Sequence, residues 1–198
     1  MLVFWDQKLI LLSVPKTGTT ALEGALSHYA DIVIRNPPTL KHARVYRYRQ
    51  FLKPLFVQGA GAKEEELTTV AVMRNPIDWL SSWYRYRHRD GLVGHPNSTR
   101  NVSFDEFATE HMKGKPAAFA NVGSQSKFLL DGEGNLGVDH LFRYEDRTVQ
   151  HWLEQRLNVK VTLNQKNVSP KLETRLSPDI EDRYRKKYAA DFALWEQV

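Results

Sequence analysis

The chain has 198 residues, 41% hydrophobic and 26% charged, with nine Phe, eight Tyr and five Trp. That is enough chain for a single domain, 1–198, with a buried core and no need of a disulfide or metal staple, and too many rings for a disordered protein. With no cysteine, disulfides, thiolate nucleophiles and cysteine zinc sites are excluded. The longest largely apolar stretch, Leu9–Leu12 running on through Ser13 to Val14, falls far short of the roughly 20 residues that span a bilayer and of a signal peptide, so a cytoplasmic protein is expected. The net charge of +5 points to an anionic partner without choosing among phosphate, sulfate, nucleic acid and acidic glycan.

In chain order, short apolar runs at Leu9–Val14, Ile32–Ile34, Leu67–Met73 and, less sharply, Leu136–Tyr144 read as strands. Helical patterns lie between and after them, at Thr19–Tyr29, Thr39–Leu52, Pro76–Arg89, Phe104–Met112, Arg147–Leu157 and Pro178–Glu196. Ser103 with Glu106 reads as a capping box, and Ser177-Pro178 followed by Asp179 and Glu181 as a capped helix start. Apolar strands alternating with helices predict an α/β fold, a mainly parallel sheet flanked by helices. In such sheets ligands bind beyond the carboxyl ends of the strands.

The first strand runs into Pro15-Lys16-Thr17-Gly18-Thr19-Thr20 and then a helix. A strand, a glycine-containing turn and a helix start aim main-chain N–H groups at one spot, where Lys16 adds a charge and the threonines hydroxyls: an anion cradle. It is not the G-x-x-x-x-G-K-[ST] loop, since the lysine precedes the glycine. The strand Leu67–Met73 ends in Arg74-Asn75-Pro76, where a nucleoside triphosphatase commonly places an aspartate for Mg²⁺. Arginine offers a fork of donors that suits a terminal phosphate. Eight residues on, Ser82 lies about two turns into the next helix.

Together these two segments resemble the sulfotransferase family. Val14-Pro15-Lys16-Thr17-Gly18-Thr19-Thr20-Ala21-Leu22 is similar to its 5′-phosphosulfate loop, and Met73-Arg74-Asn75-Pro76 through Ser82-Trp83-Tyr84 to its 3′-phosphate motif. Phe142-Arg143-Tyr144-Glu145-Asp146 resembles a further strand-end segment, and Ser124-Gln125-Ser126 a short polar element near the ligand. The resemblance implies a P-loop-like sulfotransferase fold and a sulfuryl transfer from 3′-phosphoadenosine 5′-phosphosulfate to a hydroxyl or amine, without a metal. It implies that Lys16, Thr17, Gly18, Thr19 and Thr20 hold the 5′-phosphosulfate and Arg74 and Ser82 the 3′-phosphate. Lys16 is then the catalytic cation, neutralising the leaving oxygen.

An acceptor hydroxyl also needs a general base. His42, in the region where the family places its base, is the choice, with Lys41 beside it; Glu23 is weaker, and His28 is too far along its helix. The family's R-K-G-x-x-G loop near the C-terminus is missing, with Lys166, Asn167 or Lys171 as possible substitutes. Expected partners are a small-molecule or glycan acceptor, with neither nucleic acid nor a membrane. Two basic-aromatic stretches, Arg44–Lys53 and Tyr84–Arg89, read either as a groove for an anionic polymer or, better, as amphipathic helices with rings inward. The rival readings are a divergent P-loop-like kinase and a non-catalytic binder of anionic glycan or nucleic acid.

Overall fold

A computed structural model describes residues 1–163 and 172–198. The expected Lys166, Asn167 and Lys171 lie outside the described residues. The chain packs as two compact units: Met1–Arg74 with the described part of 125–166 and Val198, and Asn75–Ser124 with the described part of 167–197. Among the described residues no linker marks the boundary. It falls at the Arg74–Asn75 bond, inside the motif that the sequence singles out, and again after Ser124.

The first unit holds a five-stranded sheet of order β3-β1-β2-β4-β5, with β1 at Leu2–Phe4, β2 at Leu9–Leu11, β3 at Ile32–Val33, β4 at Thr68–Met73 and β5 at His140–Arg143. Strands β2, β4 and β5 are parallel neighbours, and β1 pairs antiparallel with both β2 and β3. Four of five strands therefore run the same way, an α/β sheet as expected, with the reversed β1 as the addition. β1 escapes sequence reading because three apolar residues ahead of Asp6 carry no period. Period-two alternation sends Leu2, Phe4, Leu9, Leu11, Val70 and Val72 to one face. There they pack with Leu22 and Leu26 of α1 (Thr19–Leu26) and with Val149, Leu153 and Leu157 of α7 (Thr148–Leu157). The alternate residues Val3, Ile10, Leu12, Ala71 and Met73 are buried too, so strands closed on both faces read as plain apolar runs.

The single helix expected over Thr39–Leu52 is divided. A short α2 covers Pro38–Lys41; α3 begins at Val45–Arg47 and continues through π-helical turns at Tyr48–Leu52 and Leu55–Gly59. Near β5, Thr69 donates from both its N–H and its hydroxyl to Asp139 Oδ2, at 2.6 and 2.7 Å, fixing where β5 enters the sheet. The short α6 is Ser126–Leu129.

The second unit is helical: α4 at Pro76–Arg87, α5 at Phe104–His111, α8 at Pro178–Lys187 and α9 at Ala189–Glu196. Leu80, Tyr84, Phe104, Phe107, Tyr184 and Phe192 form its core. Asn75 caps α4, its Oδ1 accepting from Ile77 and Asp78 N–H, and Pro76 follows at the first turn. The Ser103–Glu106 capping box is present in both directions, a device worth about 1 kcal/mol. Ser177 sits at the start of α8, but its hydroxyl makes no cap bond; its N–H instead donates to Asp105 Oδ1 at 3.0 Å. Of the basic-aromatic stretch on α4, Tyr84 and Arg87 are buried and Tyr86 is exposed, so the rings do not all turn inward and one arginine does. Tyr84 donates its hydroxyl to Val102 O, and buried Arg87 donates to Ala118 O and Asn121 O. In the loop over residues 91–102, Thr99 is buried and donates to Tyr84 O.

Candidate functional site

Three adjacent parallel strands deliver their carboxyl ends side by side. β2 leads to the Lys16–Thr20 turn, β4 ends at Met73 just before Arg74, and β5 ends at Arg143 just before Tyr144. The register pairs Met73 with Arg143, and Tyr144 N–H donates to Met73 O at 2.6 Å, so Arg74 and Tyr144 leave the sheet together.

The turn after β2 is wound through left-handed backbone at Lys16 (φ 67°) and Gly18 (φ 77°). At Gly18 this conformation is free of penalty; at Lys16 it costs about 1–2 kcal/mol, a strain found mostly where function requires it. Gly18 is the residue before α1, so the first N–H groups of that helix stand unpaired by helix carbonyls at the turn. Thr17 is buried, and its hydroxyl donates to Val14 O at 2.9 Å. The sequence offered that hydroxyl to the anion; the structure commits it to bracing the loop, leaving the Thr17 main chain for a ligand. Thr19 is buried at the start of α1 and Thr20 exposed.

Arg74 is held at three points. Its N–H donates to Gln125 Oε1 at 2.9 Å, and Gln125 Nε2 donates back to Arg74 O at 2.7 Å, with Gln125 only 1% exposed. Its guanidinium lies 4.7 Å from the centre of the Tyr144 ring. Among the described residues, buried Arg74 Nε has no hydrogen-bond partner, as expected of a donor kept for something not yet bound. The same Tyr144 ring lies over the cradle, where a methyl group added at Gly18 would stand 2.8 Å from Tyr144 Cε2. One ring thus touches both candidate anion-binding elements, joining the Gly18 turn to the Arg74 guanidinium within the first unit.

His42 is tied to the strand that feeds the cradle: its Nδ1 meets Ser13 O at 2.7 Å. A carbonyl only accepts, so Nδ1 carries the proton and Nε2 keeps its lone pair. Burial lowers the imidazole pKa below its ordinary 6.5; the Ser13 bond opposes this and the Lys41 charge adds to it. The result is a neutral, oriented imidazole three residues from Lys16 through its Ser13 tether. Lys41 does not face an anion freely, since it pairs with Glu23 at 2.7 Å. Burial alone would raise the Glu23 carboxyl, but hydrogen bonds from Lys41 and Arg35 outweigh it and hold the pKa below the usual range. Glu23 is therefore a fixed carboxylate and a poor base.

Ser82 is buried on α4 and belongs to the second unit; its place in the site rests on its spacing from Arg74 in sequence. Gln125 and Tyr144 are the residues whose roles the sequence left undefined. Tyr144 carries a signal, because it follows β5 as Arg74 follows β4. Gln125 carries only the resemblance of Ser124-Gln125-Ser126 to a polar element near the ligand; its clamp on Arg74, 51 residues away, has no local signal. Neither a family model, a curated protein nor a solved structure matches the chain, so the site is read from its own residues.

Proposed function

We propose that this protein is a sulfotransferase that moves a sulfuryl group from 3′-phosphoadenosine 5′-phosphosulfate to a hydroxyl or amine acceptor. What carries the reading is the Tyr144 ring lying against both Gly18 and Arg74. A cradle for one phosphate group and a fork for another, joined by one ring, suit a ligand with two separated anionic ends.

In this reading the Lys16–Thr20 amides and the Lys16 ammonium hold the 5′-phosphosulfate. Arg74 takes the 3′-phosphate, with Ser82 assigned beside it by the motif alone. The acceptor oxygen attacks sulfur as the bond to the bridging phosphate oxygen breaks in line. Negative charge grows on that leaving oxygen, and Lys16 stabilises it in the transition state more than in the ground state. His42 Nε2 takes the acceptor proton. With arginine rather than a carboxylate at the end of β4, the donor's charge is met by protein cations.

Isothermal titration with adenosine 3′,5′-bisphosphate, followed by an acceptor panel with labelled donor, tests the reading. Saturable binding lost in Arg74→Ala, together with label transfer, is the expected result. Binding of nucleoside triphosphate with magnesium-dependent transfer would instead establish the kinase. Tight, salt-dependent binding of a polyanion with no affinity for the bisphosphate would establish the non-catalytic binder.

A further inference from the structure

Residues 32–63 include seven Lys and Arg and no Asp or Glu. Carboxylates from neighbouring segments meet several of these cations: Glu23 meets Arg35 and Lys41, Asp131 meets Arg49, Glu64 meets Lys53 and Glu66 meets Lys63. Among the described residues no carboxylate lies within ion-pair distance of Arg44 or Arg47. Arg47 instead donates to the Tyr46 hydroxyl at 2.8 Å, its guanidinium 5.7 Å from that ring's centre.

The same stretch exposes large apolar side chains: Leu40 at 48%, Tyr46 at 44%, Phe51 at 63% and Leu55 at 58%. From Val45 to Gly59 the chain is helical, mostly with the wider π-type turn. There i→i+5 bonding brings residues four and five apart to one side. Tyr46, Phe51 and Leu55 follow that spacing and form an outward stripe, while Val45, Tyr48 and Phe56 are buried beneath.

We propose that the helix over 45–59, with Leu40 ahead of it, docks this protein on the surface of an anionic bilayer. Arg44 and Arg47 meet headgroup phosphates, and Phe51 and Leu55 enter the boundary with the acyl chains. A soluble polyanion satisfies the arginines but leaves Phe51 and Leu55 in water. A second copy of the chain, meeting this one about a two-fold axis, brings the same arginines to the same interface. A lipid surface offers fixed anions and hydrocarbon together. The sequence led us to expect no membrane partner because no apolar run spans a bilayer. Among the described residues no helix is long and apolar enough to cross one, but a helix lying in the interface needs no such length. This inference is independent of the donor reading.

The test is co-sedimentation of the full chain with vesicles of phosphatidylcholine alone and of phosphatidylcholine with phosphatidylglycerol. Binding is expected only to the anionic vesicles, weakening as salt is raised. Each of Arg44→Glu and Arg47→Glu lowers the partition coefficient at least about fivefold. The double variant Phe51→Ser/Leu55→Ser lowers it about tenfold or more, yet leaves binding to dextran sulfate unchanged. Because wild-type protein reports on lipid charge and salt by itself, an unstable variant does not decide the outcome. Wild-type protein that ignores anionic vesicles overturns the proposal. So does a folded Phe51→Ser/Leu55→Ser variant that binds them as tightly as wild type, which marks a polyanion site. Wild-type dimers that the same variant dissolves, with no vesicle binding, overturn it in favour of a protein interface.

Discussion

Replacing Gln125 isolates the clamp that holds Arg74. Gln125 makes two main-chain hydrogen bonds to one residue, at 2.9 and 2.7 Å, from a side chain almost wholly shielded from water. Each such bond contributes about 1–1.5 kcal/mol net, and more when the abandoned partner stays buried. Gln125→Ala removes both and leaves a small void, so a loss of roughly 2–4 kcal/mol in unfolding free energy is expected. Gln125→Glu separates geometry from volume. It keeps the acceptor for Arg74 N–H but turns the donor facing Arg74 O into a second acceptor, at a cost of about 1–3 kcal/mol. Protonating the new carboxyl restores a donor, so this penalty is full at neutral pH and shrinks as pH falls. Urea denaturation across that range measures it, and titration with adenosine 3′,5′-bisphosphate measures the effect on the site. The clamp predicts that Gln125→Glu binds the bisphosphate more weakly in protein that is still folded, because Arg74 loses its fixed exit from the sheet. A Gln125→Glu protein as stable as wild type at neutral pH, with unchanged affinity, refutes this role.

Two further substitutions probe the cradle. Lys16→Ala is expected to lower the turnover of sulfuryl transfer by a factor on the order of 10² or more while changing bisphosphate affinity far less; single-turnover kinetics separate the two, and near-normal turnover removes Lys16 from catalysis. Gly18→Ala places a methyl 2.8 Å from Tyr144 Cε2 at a φ of 77°, so a loss of about 1–2 kcal/mol from the backbone adds to a displaced ring; thermal denaturation of Gly18→Ala and of Gly18→Ala/Tyr144→Ala resolves the two, the double variant recovering only the steric part.

The strand ends were legible because their signals are local. An apolar run stopped by Pro15 or by Asn75-Pro76 locates the carboxyl end of β2 or β4, and in a parallel sheet that end is where ligands bind. The Ser103 capping box was legible for the same reason, its partners lying three residues apart. What was not legible depends on contacts distant in sequence or on backbone geometry. Gln125 finds Arg74 only after β4 and α6 are both in place. The π-type turns after Val45 alter the period on which helix reading relies, so a 3.6-residue period turns the rings of Arg44–Lys53 inward although only Tyr48 is buried. Thr17 looked like a ligand donor because a hydroxyl in a turn does not reveal which carbonyl it will find. The two compact units were invisible because the chain passes between them inside a motif, with no change in composition.

In the proposed reading, the charge around His42 couples the base to the donor. Its pKa is lowered first by burial and then by Lys41, against the Ser13 bond. Because the folded state favours the neutral ring, the unfolded chain binds more protons as pH falls through 6.5 and below. Stability therefore rises with pH across that window, and His42→Asn flattens the rise. A bound bisphosphate brings negative charge to the cradle, which His42 borders through Ser13. That charge favours the imidazolium and moves the pKa back upward, so the base gains proton affinity only when a donor is in place. An NMR titration of the His42 ring with and without adenosine 3′,5′-bisphosphate reads this directly. In kinetics, the acidic limb of kcat should lie at higher pH than that of kcat/KM for the acceptor-first encounter with free enzyme. A His42 pKa that stays fixed or falls on saturation with the bisphosphate shows that the imidazole does not sense the cradle, and His42 then loses its place as the base.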